Sequence, residues 1–211
     1  MSISRGKFIT LEGGEGCGKT TNLTFIADFL HDHGKEVVVT REPGGTPLAE
    51  AIRTLLLNTD NDETVFGQTE LLLIFAARAQ HLQHKILPAL AAGKWVICSR
   101  FVDSTYAYQG YARGIDLSCI AAIEKAVMGN FEPDLTILLD LPIEIGMARA
   151  RDRAELDRIE QESLAFFDLV RQGLLKRAQQ FPDRFAVMDA NQPLMLVQKK
   201  IESILTPMMN G

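Results

Sequence analysis

Lys7-Phe8-Ile9-Thr10-Leu11-Glu12 runs directly into Gly13-Gly14-Glu15-Gly16-Cys17-Gly18-Lys19-Thr20, and a helical pattern starts at Lys19. The second stretch fits GxxxxGK followed by Ser or Thr. Its position between a strand-like run and a helix is what gives the pattern physical meaning as a phosphate-binding loop. Glycines let the backbone curl until its N–H groups face phosphate oxygens, and the helix N-terminus adds partial positive charge. Lys19 is placed to reach the β and γ phosphates of a nucleotide, and Thr20 to offer its hydroxyl to Mg²⁺. Cys17 reads as a small filler of the loop.

Working outward, Leu23, Ile26, Ala27 and Leu30 recur at helical spacing, and Gly34 supplies a C-cap. Further strands are predicted over Glu36 to Thr40, Trp95 to Cys98, Leu135 to Leu139 and Phe185 to Met188. Long helical stretches separate them, including Thr69 to Ala92 and Glu160 to Gln180. The alternation predicts a mainly parallel five-stranded sheet flanked by helices, an α/β P-loop NTPase fold with its ligand crevice beyond the carboxyl ends of the strands. No repeat or linker breaks the chain, so residues 1–211 are expected to form one domain. The charged stretch Arg149 to Glu162 is expected to be a mobile insertion.

Composition narrows the partners. With 22 basic and 27 acidic side chains the formal charge is −5, which disfavours non-specific binding to nucleic acid. Cys17, Cys98 and Cys119 are widely spaced with no CxxC pair, so neither a zinc site nor a disulfide framework is expected and a reducing cytoplasm fits. Apolar runs are broken well before the roughly 20 residues a membrane span needs.

A phosphate loop alone does not separate a kinase from a GTPase or an ATP-dependent switch. Arg41, in Thr40-Arg41-Glu42-Pro43-Gly44-Gly45-Thr46, stands at a strand's carboxyl end, where it is able to grip an anionic acceptor. Ser99-Arg100-Phe101 and Asp103 to Gly110 follow the third strand with a cation, aromatics and an amide suited to a nucleoside monophosphate. Ala148 to Glu155 holds Arg149, Arg151 and Arg153 at alternate positions, where a closing lid could deliver a cation to the phosphates.

These pieces, with Phe75-Ala-Ala-Arg78 and Glu155-Leu-Asp-Arg-Ile-Glu160, closely resemble bacterial thymidylate kinase over nearly the whole chain. The resemblance implies transfer of the γ-phosphoryl of ATP to dTMP, with Mg²⁺ and usually as a homodimer. By motif it assigns ATP to Gly13 through Thr21 with Arg149, and places Arg41 and Arg100 on the dTMP phosphate. Arg53 would line the same pocket, Arg78, Thr105 and Gln109 would contact thymine, and Glu15 would approach the sugar 3′-hydroxyl. Lys19, Arg100 and Arg153 would be catalytic. Arg153 aligns with the lid cation of the class whose phosphate loop carries no arginine, which gives a lid over about 149–160. Strict spacing puts Ile74 where the family has an aromatic on thymine, and the neighbouring Phe75 is taken for that role.

Two departures stand out. Ser99 replaces the aspartate that generally precedes the family's arginine and helps organise Mg²⁺, leaving Glu12, Glu15 or Asp103 as helpers to Thr20. Tyr111-Ala112 replaces a usual glycine-rich turn. The apolar side of the Thr69 to Ala92 helix, Leu71 to Ala77, is expected to enter a dimer interface in part.

Overall fold

The computed structural model describes residues 5–58, 63–152 and 157–209. In chain order the elements are β1 (Phe8–Glu12), α1 (Lys19–Asp32), β2 (Val37–Arg41), α2 (Pro47–Leu57) and α3 (Gly67–His81). A π-helical turn (Leu82–Ile86) leads into α4 (Leu87–Ala91), then β3 (Trp95–Ser99), α5 (Val102–Thr105) and a second π-helical segment (Tyr106–Ala112). The chain continues through α6 (Leu117–Met128), β4 (Leu135–Asp140), α7 (Ile143–Arg151), α8 (Leu164–Gln180), β5 (Phe185–Asp189) and α9 (Leu194–Met209).

All strand pairs are parallel, in the order β2-β3-β1-β4-β5. The chain leaves central β1, crosses to the edge at β2, returns through β3 and then resumes on the other side of β1. The phosphate loop therefore leaves β1 where the connections diverge, which is where an open α/β sheet leaves a crevice.

Both faces of the sheet are covered, so β1 is buried along its whole length. Ile9, Leu11, Ile97 and Ile137 pack with Leu23, Ile26 and Leu30 of α1 and Val197 and Ile201 of α9. On the opposite face Phe8, Val96 and Cys98 pack against Leu71 and Phe75 of α3 and Ile120 of α6. That face also holds the Thr10 and Thr136 hydroxyls, bonded to each other at 2.9 Å. Among the described residues no helix is long and apolar enough to cross a membrane.

Local chemistry sets where helices begin. In α2 the Thr46 side chain accepts from the Ala49 N–H at 3.3 Å with Pro47 following. Helix α8 starts at Leu164, four residues later than the sequence suggested, because Ser163 caps it and accepts from the Phe166 N–H at 3.2 Å. The turn before it is held by the Asp157 carboxylate, which takes the Ile159 and Glu160 N–H groups, both at 2.9 Å. The predicted Thr69 to Ala92 helix is present but changes pitch to a π turn over its middle.

Candidate active site

The phosphate loop keeps its shape through contacts that exclude larger residues. Gly16 has φ 64°, and a Cβ there would lie 2.0 Å from the Gly146 carbonyl oxygen. Gly18 caps α1 in the left-handed region at φ 90°, a conformation that L side chains rarely adopt. Lys19 Nζ donates to the carbonyl oxygens of Gly13 at 3.1 Å and Gly14 at 2.6 Å. Cys17 is buried beside it as a filler, its Sγ 3.6 Å from the same amine.

Beyond the loop opens a cavity of about 500 Å³. Its walls carry Glu15 to Thr21 from the loop and α1, Arg41 and Arg53, Arg78, Ser99 and Arg100, Thr105 and Gln109, and Arg149 of α7. Nearly every residue expected to touch either nucleotide therefore faces one space. Gly13 and Gly14 do not line it; their carbonyls hold cavity-wall cations, Gly13 both Lys19 and Arg100 and Gly14 Lys19. Arg153 lies outside the described residues, so the expected lid cation has no position here.

Cations converge at the acceptor end. Arg100 has φ 63°, rare for a residue with a side chain, and its Nη1 donates to the Gly13 carbonyl at 3.0 Å. Nη2 donates to Glu15 Oε1 at 2.5 Å, and the guanidinium stands 5.0 Å over the Tyr108 ring. Burial by itself would lower the Arg100 pKa, but the charge of Glu15 outweighs it and the guanidinium stays firmly protonated. Arg53 shifts the other way, first through burial and then through the charge of Arg41. A cavity wall that makes a cation uncomfortable suits an anion. Arg41 sits on the exposed lip, paired with Glu50 at 2.9 Å.

Deeper in the cleft the polar groups are set by buried networks. Arg78 is 2 % exposed. Its Nε donates to Glu42 Oε2 at 2.7 Å and its Nη2 to Thr105 Oγ1 at 3.0 Å. Glu42 Oε1 is 3.0 Å from His81 Nδ1, whose Nε2 meets Thr40 Oγ1 at 2.7 Å. Arg78 Nη1 has no hydrogen-bond partner among the described residues, leaving a buried donor on a residue that lines the cleft. Gln109, in the second π-helical segment, donates from Nε2 to Glu70 Oε1 at 2.7 Å. Irregular π turns often occur at functional sites, and this one aims Tyr108 and Gln109 into the cleft.

Two expectations are corrected. Phe75 is 2 % exposed and packs with Phe8, Leu71 and Phe101, away from the cavity, while Ile74 lines it. One residue along a helix turns the side chain by about 100°, enough to exchange cleft for core. Asp103 cannot assist a metal, because it is fully buried and bound to Arg177 Nε at 2.8 Å and to Arg184 Nη1 and Nη2 at 2.8 and 2.9 Å. The described part of the Arg149 to Glu162 stretch, expected to be mobile, makes contacts in this conformation. Arg158 reaches the Leu56 carbonyl at 2.7 Å and Glu70 at 2.6 Å, and Glu162 takes Arg113 at 2.6 Å.

Tyr108, Glu42 and Glu70 shape the site and were missed as individual residues. Tyr108 Oη donates to Glu15 Oε1 at 2.9 Å, and burial pushes its pKa well up. Glu70 carried a readable signal: with Ile74 and Arg78 it stands at i, i+4, i+8 on a buried face, where a carboxylate needs partners.

A family model described as thymidylate kinase matches residues 11–201. The thymidylate kinase of Alcanivorax borkumensis is 58% identical over 203 residues, covering 96% of this chain and 97% of that one. That of Pseudomonas putida strain F1 is 56% identical over 200 residues, covering 95% of each. The crystal structure of thymidylate kinase from Ehrlichia chaffeensis superposes with a TM-score of 0.77 at 34% identity, over 95% of this chain and 99% of that one.

Proposed function

The chain belongs to the thymidylate kinase family, and on that footing we propose that it transfers the γ-phosphoryl group of ATP to dTMP, giving dTDP and ADP for dTTP synthesis. The observation that carries this reading is convergence: a phosphate loop, three arginines and a donor–acceptor pair deep in the wall all face one cleft.

In the proposed complex the ATP phosphates take the backbone N–H groups from Gly13 to Thr21, with Lys19 and Arg149 beside them. Arg41, Arg53 and Arg100 receive the dTMP phosphate, and Glu15 stands by the deoxyribose 3′-hydroxyl. Thymine enters toward Arg78, Thr105 and Gln109, flanked by Ile74. An anionic dTMP phosphate oxygen attacks the γ phosphorus. One P–O bond forms there as the bond to the bridging oxygen breaks, and the electron pair leaves on ADP.

No protein base is needed, since the attacking oxygen is already deprotonated. What the chain contributes is in-line placement and positive charge. Lys19 and Arg100 supply it from the fixed wall and Arg153 from the lid, over about 149–160 of a single domain. Closure excludes water that would otherwise accept the phosphoryl group.

The Thr20 and Ser99 hydroxyls line the cleft beside the loop, and such neutral oxygen donors fit Mg²⁺, which takes most of its ligands from phosphate and water. When bound, Mg²⁺ offsets charge on the phosphates. Thr20 is the residue proposed to hold it.

A homodimer is part of the same proposal. Of the Leu71 to Ala77 face, Leu71, Phe75 and Ala77 are buried within the chain and Ile74 lines the cleft, but Leu72 is 59% exposed. Leu48 and Leu55 of neighbouring α2 are also more than half exposed, which gives an apolar surface for a second copy. The cytoplasm is the proposed location.

The test is ADP production with ATP and Mg²⁺ against dTMP, dUMP, dCMP, dGMP and AMP offered separately. Turnover concentrated on dTMP is expected, whereas ATP binding without turnover on any acceptor would sink the kinase reading.

A further inference from the structure

Glu70 lies in the first turn of α3 and is 1% exposed. Besides Gln109 it meets Arg158 Nη2 at 2.6 Å through Oε2, and Arg113 through both oxygens at 3.4 Å. Burial pushes its pKa up, but the bonds from Arg158 and Gln109 and the nearby guanidinium charges more than reverse that and hold it below the ordinary glutamate value. Glu70 is therefore ionised at neutral pH, and an ionised carboxylate only accepts. The Gln109 atom 2.7 Å from it must be the amide nitrogen. The Gln109 carbonyl oxygen is then turned away from Glu70, on a side chain that lines the cleft.

We propose that Glu70 is a positioning residue that fixes which atom of the Gln109 amide meets the acceptor base. It thereby makes the cleft select a base bearing an N–H donor beside a carbonyl over one with that pattern reversed. The inference rests on the dTMP reading above. Arg78 Nη1 is a buried donor with no partner among the described residues and Gln109 Oε1 is an acceptor. Thymine and uracil present the complement, O4 as acceptor and N3–H as donor. Cytosine presents an amino donor and a bare N3 acceptor, so donor would face donor and acceptor would face acceptor. A site built around polar groups rejects such a mismatch by about 10⁴-fold, because buried partners are left unpaired. That rejection needs an amide that cannot turn over, and an acceptor-only partner is what prevents the turn.

Glu70→Gln tests the idea, since an amide at position 70 either donates or accepts and frees Gln109 to flip. The ratio of kcat/KM for dTMP over dCMP is expected to fall about tenfold or more. The ratio for dTMP over dUMP, which share N3–H and O4, is expected to stay within about twofold. Arg158→Gln removes the strongest ion pair on Glu70 while leaving its carboxylate, and should preserve both ratios. If Glu70→Gln lowers all three acceptors together, or if Arg158→Gln reproduces the selective change, Glu70 is only an anchor for the 157–162 segment and the proposal falls.

A native enzyme that does not favour dTMP sinks the substrate reading and this proposal together. A native enzyme that favours dTMP, with unchanged ratios in Glu70→Gln, sinks the proposal alone. Should the variant not fold, the native Gln109 side-chain amide gives a second readout, identified in a ¹⁵N spectrum by its loss in Gln109→Met. One of its NH₂ protons should stay far downfield, as a proton held by the Glu70 carboxylate, with and without dTMP, and loss of that downfield resonance on binding would overturn the assignment.

Discussion

Arg100 and Glu15 face each other across the phosphate loop, with Nη2 2.5 Å from Oε1 while Nη1 of the same guanidinium holds the Gly13 carbonyl. The acceptor's cation is thus tied both to the loop backbone and to the loop's carboxylate. A phosphate arriving at Arg100 meets a fork already aimed and neutralised on one side only, so little reorganisation is needed when charge builds up. Arg100→Ala is expected to lower kcat/KM for dTMP by about a hundredfold to a thousandfold. ATP affinity, read with a fluorescent analogue, should change far less. Equal losses in both would mean that Arg100 mainly holds the loop.

Asp103 gives a stability prediction instead of a catalytic one. Its carboxylate neutralises Arg177 and Arg184 in the interior, and removing one member of a buried pair leaves the others uncompensated. Asp103→Asn is expected to cost about 3 kcal/mol in urea unfolding, with the Mg²⁺ dependence of the folded fraction unchanged. Ser99→Asp, on the cleft wall, is the contrasting variant: it should lower the half-saturating Mg²⁺ concentration. A shifted Mg²⁺ midpoint in Asp103→Asn would contradict this division.

Glu12 lies fully buried at the end of β1 and accepts from the Phe101 N–H at 2.7 Å and the Ser104 hydroxyl at 2.6 Å. Burial, aided by the charge of Asp103, pushes its pKa up to about 7 from 4.5. Between those values the folded chain holds a proton that the unfolded chain has lost, so stability falls as pH rises through the window and levels off above it. The loss is on the order of 3 kcal/mol by pH 8. Glu12→Gln keeps both bonds, with the Ser104 bond reversed, and removes the titration. Its melting temperature is expected to fall less between pH 5.5 and 8 than that of the native chain, and parallel falls would exclude Glu12 as the source.

Much of this frame was legible because buried parallel strands are short apolar runs punctuated by turns. All five strands were placed to within a residue, and the phosphate loop between strand and helix fixed where the crevice opens. The two π-helical segments left no such trace, since one extra residue per turn needs no particular composition. Pairings were equally hidden. Asp103 and Arg177 lie 74 residues apart, and nothing local distinguishes Asp103 from an exposed acid able to meet a metal. Glu70 looked like an ordinary first-turn helix acid, although its apolar neighbours at helical spacing marked it as buried.

The exchange of Ile74 for Phe75 is the point at which side-chain phase decides function. Ile74 lines the cleft and is 9% exposed, whereas Phe75 packs in the core with the Arg78 guanidinium 4.9 Å from its ring. An aliphatic wall offers a base dispersion contacts but not the aromatic stacking that adds about 1 kcal/mol beyond buried area. Ile74→Phe grows a ring into open cleft and is expected to lower KM for dTMP roughly fivefold with little change in melting temperature. Phe75→Leu is expected to do the reverse, costing about 1–2 kcal/mol through lost packing and the lost face for Arg78, with KM nearly constant. Steady-state kinetics and thermal melts on both variants separate the roles. A higher KM in Phe75→Leu at unchanged stability would return the base contact to Phe75, against the phase of α3.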